Sequence, residues 1–134
     1  MSLQISAENR VKPVIKCSSV YKVFGENAKK LLAQSNGLID AKTFKDAGCV
    51  VGVNNASFEV YEGEILVVMG LSGSGKSTLL RCISRLTDTT SGNIFIDGQD
   101  LLAMTSKQLI EVRRNKMGMV FQSYALWPHM TVRE

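Results

Sequence analysis

The sequence predicts an α/β fold: the opening of a parallel sheet, joined to an antiparallel β region that carries a short helical insert. Three observations predict it. Ala56, Phe58 and Val60 alternate with Ser57 and Glu59, the period of a strand with one wet face. Residues 64–69 (Glu-Ile-Leu-Val-Val-Met) are apolar at consecutive positions, the composition of a strand covered on both sides. Leu79, Cys82, Ile83 and Leu86 then recur at helical spacing and form one apolar stripe, with Arg81 and Arg85 facing away.

The elements follow in order. Residues 14–20 are β-branched and partly alternating, and read as a strand. Residues 27–36 read as a short helix that buries Leu31 and Leu32 and stops at Asn36-Gly37. Asp40 is placed to cap a second short helix reaching about Lys45. After Gly48 the pattern becomes strand through Val60, and Glu62-Gly63 turns the chain into the apolar strand 64–69. A helix is expected over 76–86 and a turn at Ser91-Gly92. A short strand over 93–97 follows, closed by Asp97-Gly98. Thr105 and Gln108 have capping-box spacing for a helix through about Arg114. Residues 117–121 form a further apolar run, read as a strand, and Thr131 with Glu134 repeats the capping-box spacing.

Composition narrows the class. The chain has 134 residues, of which 45% are AVILMFWYC and 21% DEKR, values that exclude disordered and fibrous chains. The longest uninterrupted apolar run is 65–69, far below the roughly 18 residues that span a bilayer. No stretch has a signal-peptide layout, so the expectation is a soluble, cytoplasmic chain. Sixteen Lys and Arg oppose 12 Asp and Glu, a formal charge of +4. The densest basic cluster is Arg113, Arg114 and Lys116, too small for a nucleic-acid footprint, and no nucleic-acid partner is expected. Cys17, Cys49 and Cys82 show no metal-ligand spacing and read as reduced, buried thiols.

The strongest chemical signal is Gly70-Leu71-Ser72-Gly73-Ser74-Gly75-Lys76-Ser77, a G-x-x-x-x-G-K-[ST] pattern between an apolar strand and an amphipathic helix. Gly70, Gly73 and Gly75 let the backbone curl so that successive N–H groups point inward. Together with the positive end of the following helix they make a nest for an anion. Lys76 would place a full charge on the β- and γ-phosphates of a nucleotide. The Ser77 hydroxyl is the expected Mg²⁺ ligand, and Thr78 can reach a nearby phosphate oxygen.

Beyond this loop the sequence resembles the ATPase subunits of ATP-binding-cassette (ABC) transporters. Tyr21-Lys22-Val23-Phe24-Gly25 resembles the aromatic loop whose ring stacks on adenine, with Phe24 as first choice and Tyr21 as second. Glu62-Gly63-Glu64 resembles the family's lead into the phosphate loop, and residues 90–98 resemble the strand-turn segment after its helix. Residues 119–129 resemble the Q-loop. The insert at 26–50, the loop 69–75 and the stretch 111–116 resemble importers of glycine betaine, proline betaine and related quaternary amines.

The resemblance implies the N-terminal part of an ABC nucleotide-binding domain, a partial P-loop NTPase core. Its segments would be an antiparallel region over 14–63, a strand, loop and helix over 64–92, and a strand, helix and Q-loop over 93–134. It implies ATP and Mg²⁺ as cofactors, with Gln122 reaching the metal and the attacking water as γ-phosphate sensor. Residues after Gln122, among them Tyr124, Trp127 and Met130, would touch the transmembrane permease subunits. A second ATPase subunit would complete the site, at the inner face of the cell membrane. The family's signature motif, Walker B carboxylates and switch histidine are not found in these 134 residues. Leu71-Ser72-Gly73-Ser74-Gly75 only mimics a signature motif, and Gly98 stands where a Walker B strand at 94–97 would need its Glu. The expectation is a chain that binds phosphate or nucleotide weakly, does not hydrolyse it, and either self-associates through its uncovered apolar strands or adopts an unusual compact arrangement. Two other readings stay open: a small stand-alone P-loop protein or kinase with Asp97 as its carboxylate, and a non-catalytic nucleotide-binding module.

Overall fold

The computed structural model describes residues 12–123, 128, 129 and 131. Its centre is a four-stranded sheet built from β1 (Ile15–Phe24), β2 (Val50–Val60), β3 (Ser91–Ile96) and β4 (Gln99–Asp100), in the order β2-β1-β3-β4. Every pair is antiparallel: Ile15 faces Val60 on one side and Ile96 on the other, and Cys17 faces Phe58 and Ile94. Helices α1 (Ala28–Gln34) and α2 (Ala41–Asp46) lie between the first two strands in sequence. Helix α3 (Lys76–Ile83) follows the glycine-rich loop, and α4 (Ser106–Lys116) follows a short 3-10 turn at Leu101–Ala103.

The first strand outruns its expected end because β2 starts at Val50 and pairs back to Phe24. The pairing is irregular near Ser19, which has a φ of 47°, and its N–H bonds the Ser57 hydroxyl at 2.8 Å. This irregularity explains Gly92. The expected turn at Ser91-Gly92 is instead the start of β3, and a β-carbon on Gly92 would overlap the Ser19 carbonyl. Only glycine, at φ 90°, fits there.

Two cores hold the molecule. The larger gathers Cys17, Val20, Val53, Leu79, Cys82, Ile94, Ile96, Leu101 and Met104 between the sheet and α3. The smaller, Val23, Ala28, Leu32, Phe44 and Cys49, pins the helical insert to the end of the sheet. Asp40 caps α2 by accepting from Thr43 N–H at 3.0 Å, and Phe44 behind it is 1% exposed. Thr105 and Gln108 make both bonds of the capping box that starts α4.

Three further expectations fail for identifiable reasons. Helix α3 ends at Ile83 instead of 86, because Arg85 turns left-handed (φ 52°) and Leu86 is left half exposed. Residues 64–69 form no strand. A strand exists only where its backbone groups find a partner. None lies beside them among the described residues, so Ile65, Val67 and Met69 stand 91%, 69% and 86% exposed. Residues 117–121 are likewise unpaired, with Val120 open to solvent. Glu134, one half of the second capping box, lies outside the described residues.

Candidate functional site

The glycine-rich loop runs from Gly70 into α3, whose N-cap is Gly75 in the left-handed conformation at φ 94°. Gly73 is also left-handed, at φ 75°. Ser74 N–H donates to the Leu71 carbonyl at 3.1 Å, and Leu79 N–H donates to the Gly75 carbonyl at 2.9 Å, closing the first helical turn. A β-carbon on Gly70 would sit 2.5 Å from the Ser74 hydroxyl, so the start of the loop must be bare for Ser74 to fold over it.

Lys76 folds back into this ring. Its ammonium donates to the carbonyls of Gly70 and Leu71 at 2.7 and 2.6 Å, and to the Ser74 hydroxyl at 3.1 Å. All three acceptors are neutral, and no carboxylate within ion-pair distance of Lys76 is found among the described residues. A full positive charge held only by neutral oxygens, beside a helix N-terminus, fits a phosphate group. The residues present therefore suit the phosphate chain of a nucleotide.

The loop opens onto a cleft of about 230 Å³ lined by Gly73, Ser74, Gly75, Lys76, Ser77 and Thr78 on one side and by Phe24, Val50, Val51 and Gly52 on the other. Phe24 and the phosphate loop therefore share one hollow. The Lys22 ammonium stands 4.9 Å from the centre of the Phe24 ring. Leu71 and Ser72 are exposed at the outer tip of the loop. Tyr21 is not brought to the loop; it lines a different hollow with Lys29, Leu32 and Thr90, beside the insert. Gln122 and Ser123 are exposed and do not line the cleft. Tyr124, Trp127 and Met130 lie outside the described residues.

Ser77 lines the cleft and could offer its hydroxyl to Mg²⁺. Among the described residues no group of three His, Cys, Asp or Glu is clustered to hold a metal. A Mg²⁺ at Ser77 suits this, because the ion takes most of its ligands from phosphate oxygens and water. The reading of residue patterns missed Val50, Val51 and Gly52. The available signal was Gly52 itself, a lone glycine between two valines in a strand, which marks a close approach.

Arg113 of the basic cluster is tied into the fold. Arg113 donates to the Ser84 and Arg85 carbonyls at 3.1 and 2.6 Å, capping the end of α3. Arg85 donates in turn to the Leu101 and Met104 carbonyls. The three cysteines are free and buried, and burial pushes the Cys17 thiol up to about 11. No helix among the described residues is long and apolar enough to cross a membrane.

Comparison with known proteins agrees with this geometry. The family model described as ABC transporter matches residues 53–134. The trimethylamine N-oxide transport system ATP-binding protein TmoW of Pelagibacter ubique is 77% identical over 122 residues, covering 91% of this chain and 36% of that protein. The glycine betaine transport ATP-binding protein OpuAA of Bacillus subtilis is 53% identical, over 92% of this chain and 30% of that protein. The chain thus spans about a third of the length of the curated relatives it matches. A solved dimeric bacterial ABC transporter cassette aligns with a TM-score of 0.67 at 31% identity, covering 87% of this chain and 42% of that one. With the phosphate loop and this match over more than half its length, the chain belongs to the ABC transporter family.

Proposed function

We propose that this chain carries the nucleotide-gripping part of the ATP-binding subunit of an importer for small N-methylated solutes such as trimethylamine N-oxide or glycine betaine. One observation carries the nucleotide half of the reading: Phe24 and the phosphate loop line the same cleft, with Lys76 held only by neutral oxygens. The relatives named above support the solute class. The neighbouring permease and second ATPase subunit, and a place at the inner membrane face, follow from the same kinship.

Each residue then has a task. Lys76 exchanges its carbonyl acceptors for phosphate oxygens, while the N–H groups of the loop and the first turn of α3 take the rest. Ser77 offers its hydroxyl to Mg²⁺ and Thr78 its own to a phosphate oxygen. Phe24 provides a flat apolar face for the base. Gln122 would sense the γ-phosphate once brought to the cleft. Among the described residues the lining of the cleft carries no acidic side chain.

Titration of the chain with Mg-ATP tests the reading. Saturable binding is expected, weakened by about ten- to a hundredfold in Lys76→Ala. Absence of binding, or equal binding by the variant, would overturn it. Cellular uptake of radiolabelled trimethylamine N-oxide and glycine betaine, lost when Lys76→Ala is introduced into the intact gene, tests the solute class.

A further inference from the structure

Resting on the nucleotide reading of the cleft, we infer that Gly52 is a positioning residue: its lack of a side chain lets Phe24 close against the phosphate loop, so that base and phosphates are gripped together. The geometry is specific. A β-carbon on Gly52 would stand 2.9 Å from Phe24 Cε2 and 2.9 Å from the Thr78 methyl. The ring edge and the helix residue thus converge on the space a side chain would fill. Gly52 does not take the left-handed backbone that favours glycine, unlike Gly73 and Gly75. Conformation therefore does not demand glycine at this position; space does.

The crowding has one soft side. Thr78 sits on α3, whose preceding turn carries the loop, so its backbone cannot withdraw without moving the loop. Phe24 is 43% exposed and can swing outward. Lys22 holds the ring at present, from 4.9 Å. A methyl at position 52 is thus expected to displace the ring and leave the loop in place. The two ends of the cleft would then separate, and a ligand would keep its phosphate contacts while losing its stacking partner.

The full chain is titrated with Mg-ATP and, separately, with inorganic tripolyphosphate, and the Thr78 methyl is followed by NMR without ligand. In Gly52→Ala, affinity for Mg-ATP falls about tenfold while affinity for tripolyphosphate stays within about twofold. Phe24→Leu gives the same split, and the two changes together add little to either alone. The Thr78 methyl resonance, which senses the nearby ring, moves in the same direction in both variants. Unchanged Mg-ATP binding, an equal loss of both ligands, or an unmoved Thr78 resonance in Gly52→Ala would each overturn the inference. Should wild type bind neither ligand, the nucleotide reading fails, and the Thr78 resonance alone decides whether Gly52 positions the ring. Should Gly52→Ala unfold the chain, recovery of the fold on adding Phe24→Leu supports a contact with the ring, and continued unfolding refutes it.

Discussion

The carbonyl oxygen of Gly52 lies against the α-carbon of Gly75, so close that a β-carbon on Gly75 would overlap it. The antiparallel sheet and the phosphate loop meet at this backbone-to-backbone contact. Neither the loop motif nor the strand pattern contains it, and it fixes where α3 begins relative to β2.

Gly75→Ala should therefore cost more than an ordinary left-handed alanine. It combines the strain at φ 94° with a collision against backbone that cannot rotate away. A loss of at least about 2 kcal/mol in urea denaturation is expected, with Mg-ATP binding abolished. Gly73→Ala is the control. It has a similar φ of 75° but nothing within 4 Å of its would-be β-carbon, so only the backbone strain of about 1 kcal/mol remains. Equal effects at the two positions would remove the contact from the explanation.

Arg113 and Arg114 are neighbours in sequence with different surroundings. Arg113 closes the end of α3 through the carbonyls of Ser84 and Arg85, whereas Arg114 is 70% exposed and reaches Glu111 only at 3.9 Å. Arg113→Met should destabilise the chain by about 1–3 kcal/mol, because it leaves two carbonyls without a donor. Arg114→Met should change stability by less than about 1 kcal/mol. Lysine at 113 should recover little, since a single ammonium cannot serve both carbonyls in the same fork geometry.

These residues also show what was legible in the sequence. Local chemistry was readable: the cap at Asp40, the Thr105–Gln108 box, the glycine-rich loop and the helix behind it all use contacts between residues close in sequence. Relations between distant segments were not. Gly52 under Gly75, Phe24 and Thr78 on either side of Gly52, and Arg113 on the end of α3 depend on how the elements stack. The apolar pattern at 64–69 correctly marked a segment built for burial, but it could not say whether a ladder partner lies beside it, and among the described residues none does. Tyr21 and Phe24 share one motif, yet the structure sets them on separate hollows.

Cys17 gives a pH dependence with a definite sign. Burial raises its thiol from the ordinary 9.0 to about 11, with the neighbouring Cys82 adding to the effect. The folded state prefers the neutral thiol more strongly than the unfolded chain does. The stabilisation is therefore complete below pH 9.0 and disappears as pH rises toward 11. Over that window wild type should lose about 2 kcal/mol more than Cys17→Ala in urea denaturation. Parallel pH profiles for the two proteins would show that the thiol does not titrate with unfolding. Native Cys17 should also resist iodoacetamide at pH 8 and react once urea is added.

The uncovered run at 65–69 leads to the last expectation. Ile65, Val67 and Met69 are 91%, 69% and 86% exposed, and Leu66 and Val68 are 47% and 38% exposed, so neither face of the run is covered. Val120 and Phe121 add further exposed apolar surface. Apolar backbone with no ladder partner, as this run is among the described residues, pairs with whatever strand it meets, and a second copy of the same chain offers one. Light scattering of the purified chain should show species larger than a monomer, with the proportion rising with concentration. Val67→Lys with Met69→Lys places two charges on one face of the run and should shift the distribution toward monomer, while Mg-ATP binding through the loop is retained. A wild-type chain that scatters as a monodisperse monomer would mean that the run is covered in solution, and protection of its amides from hydrogen exchange would then locate the cover.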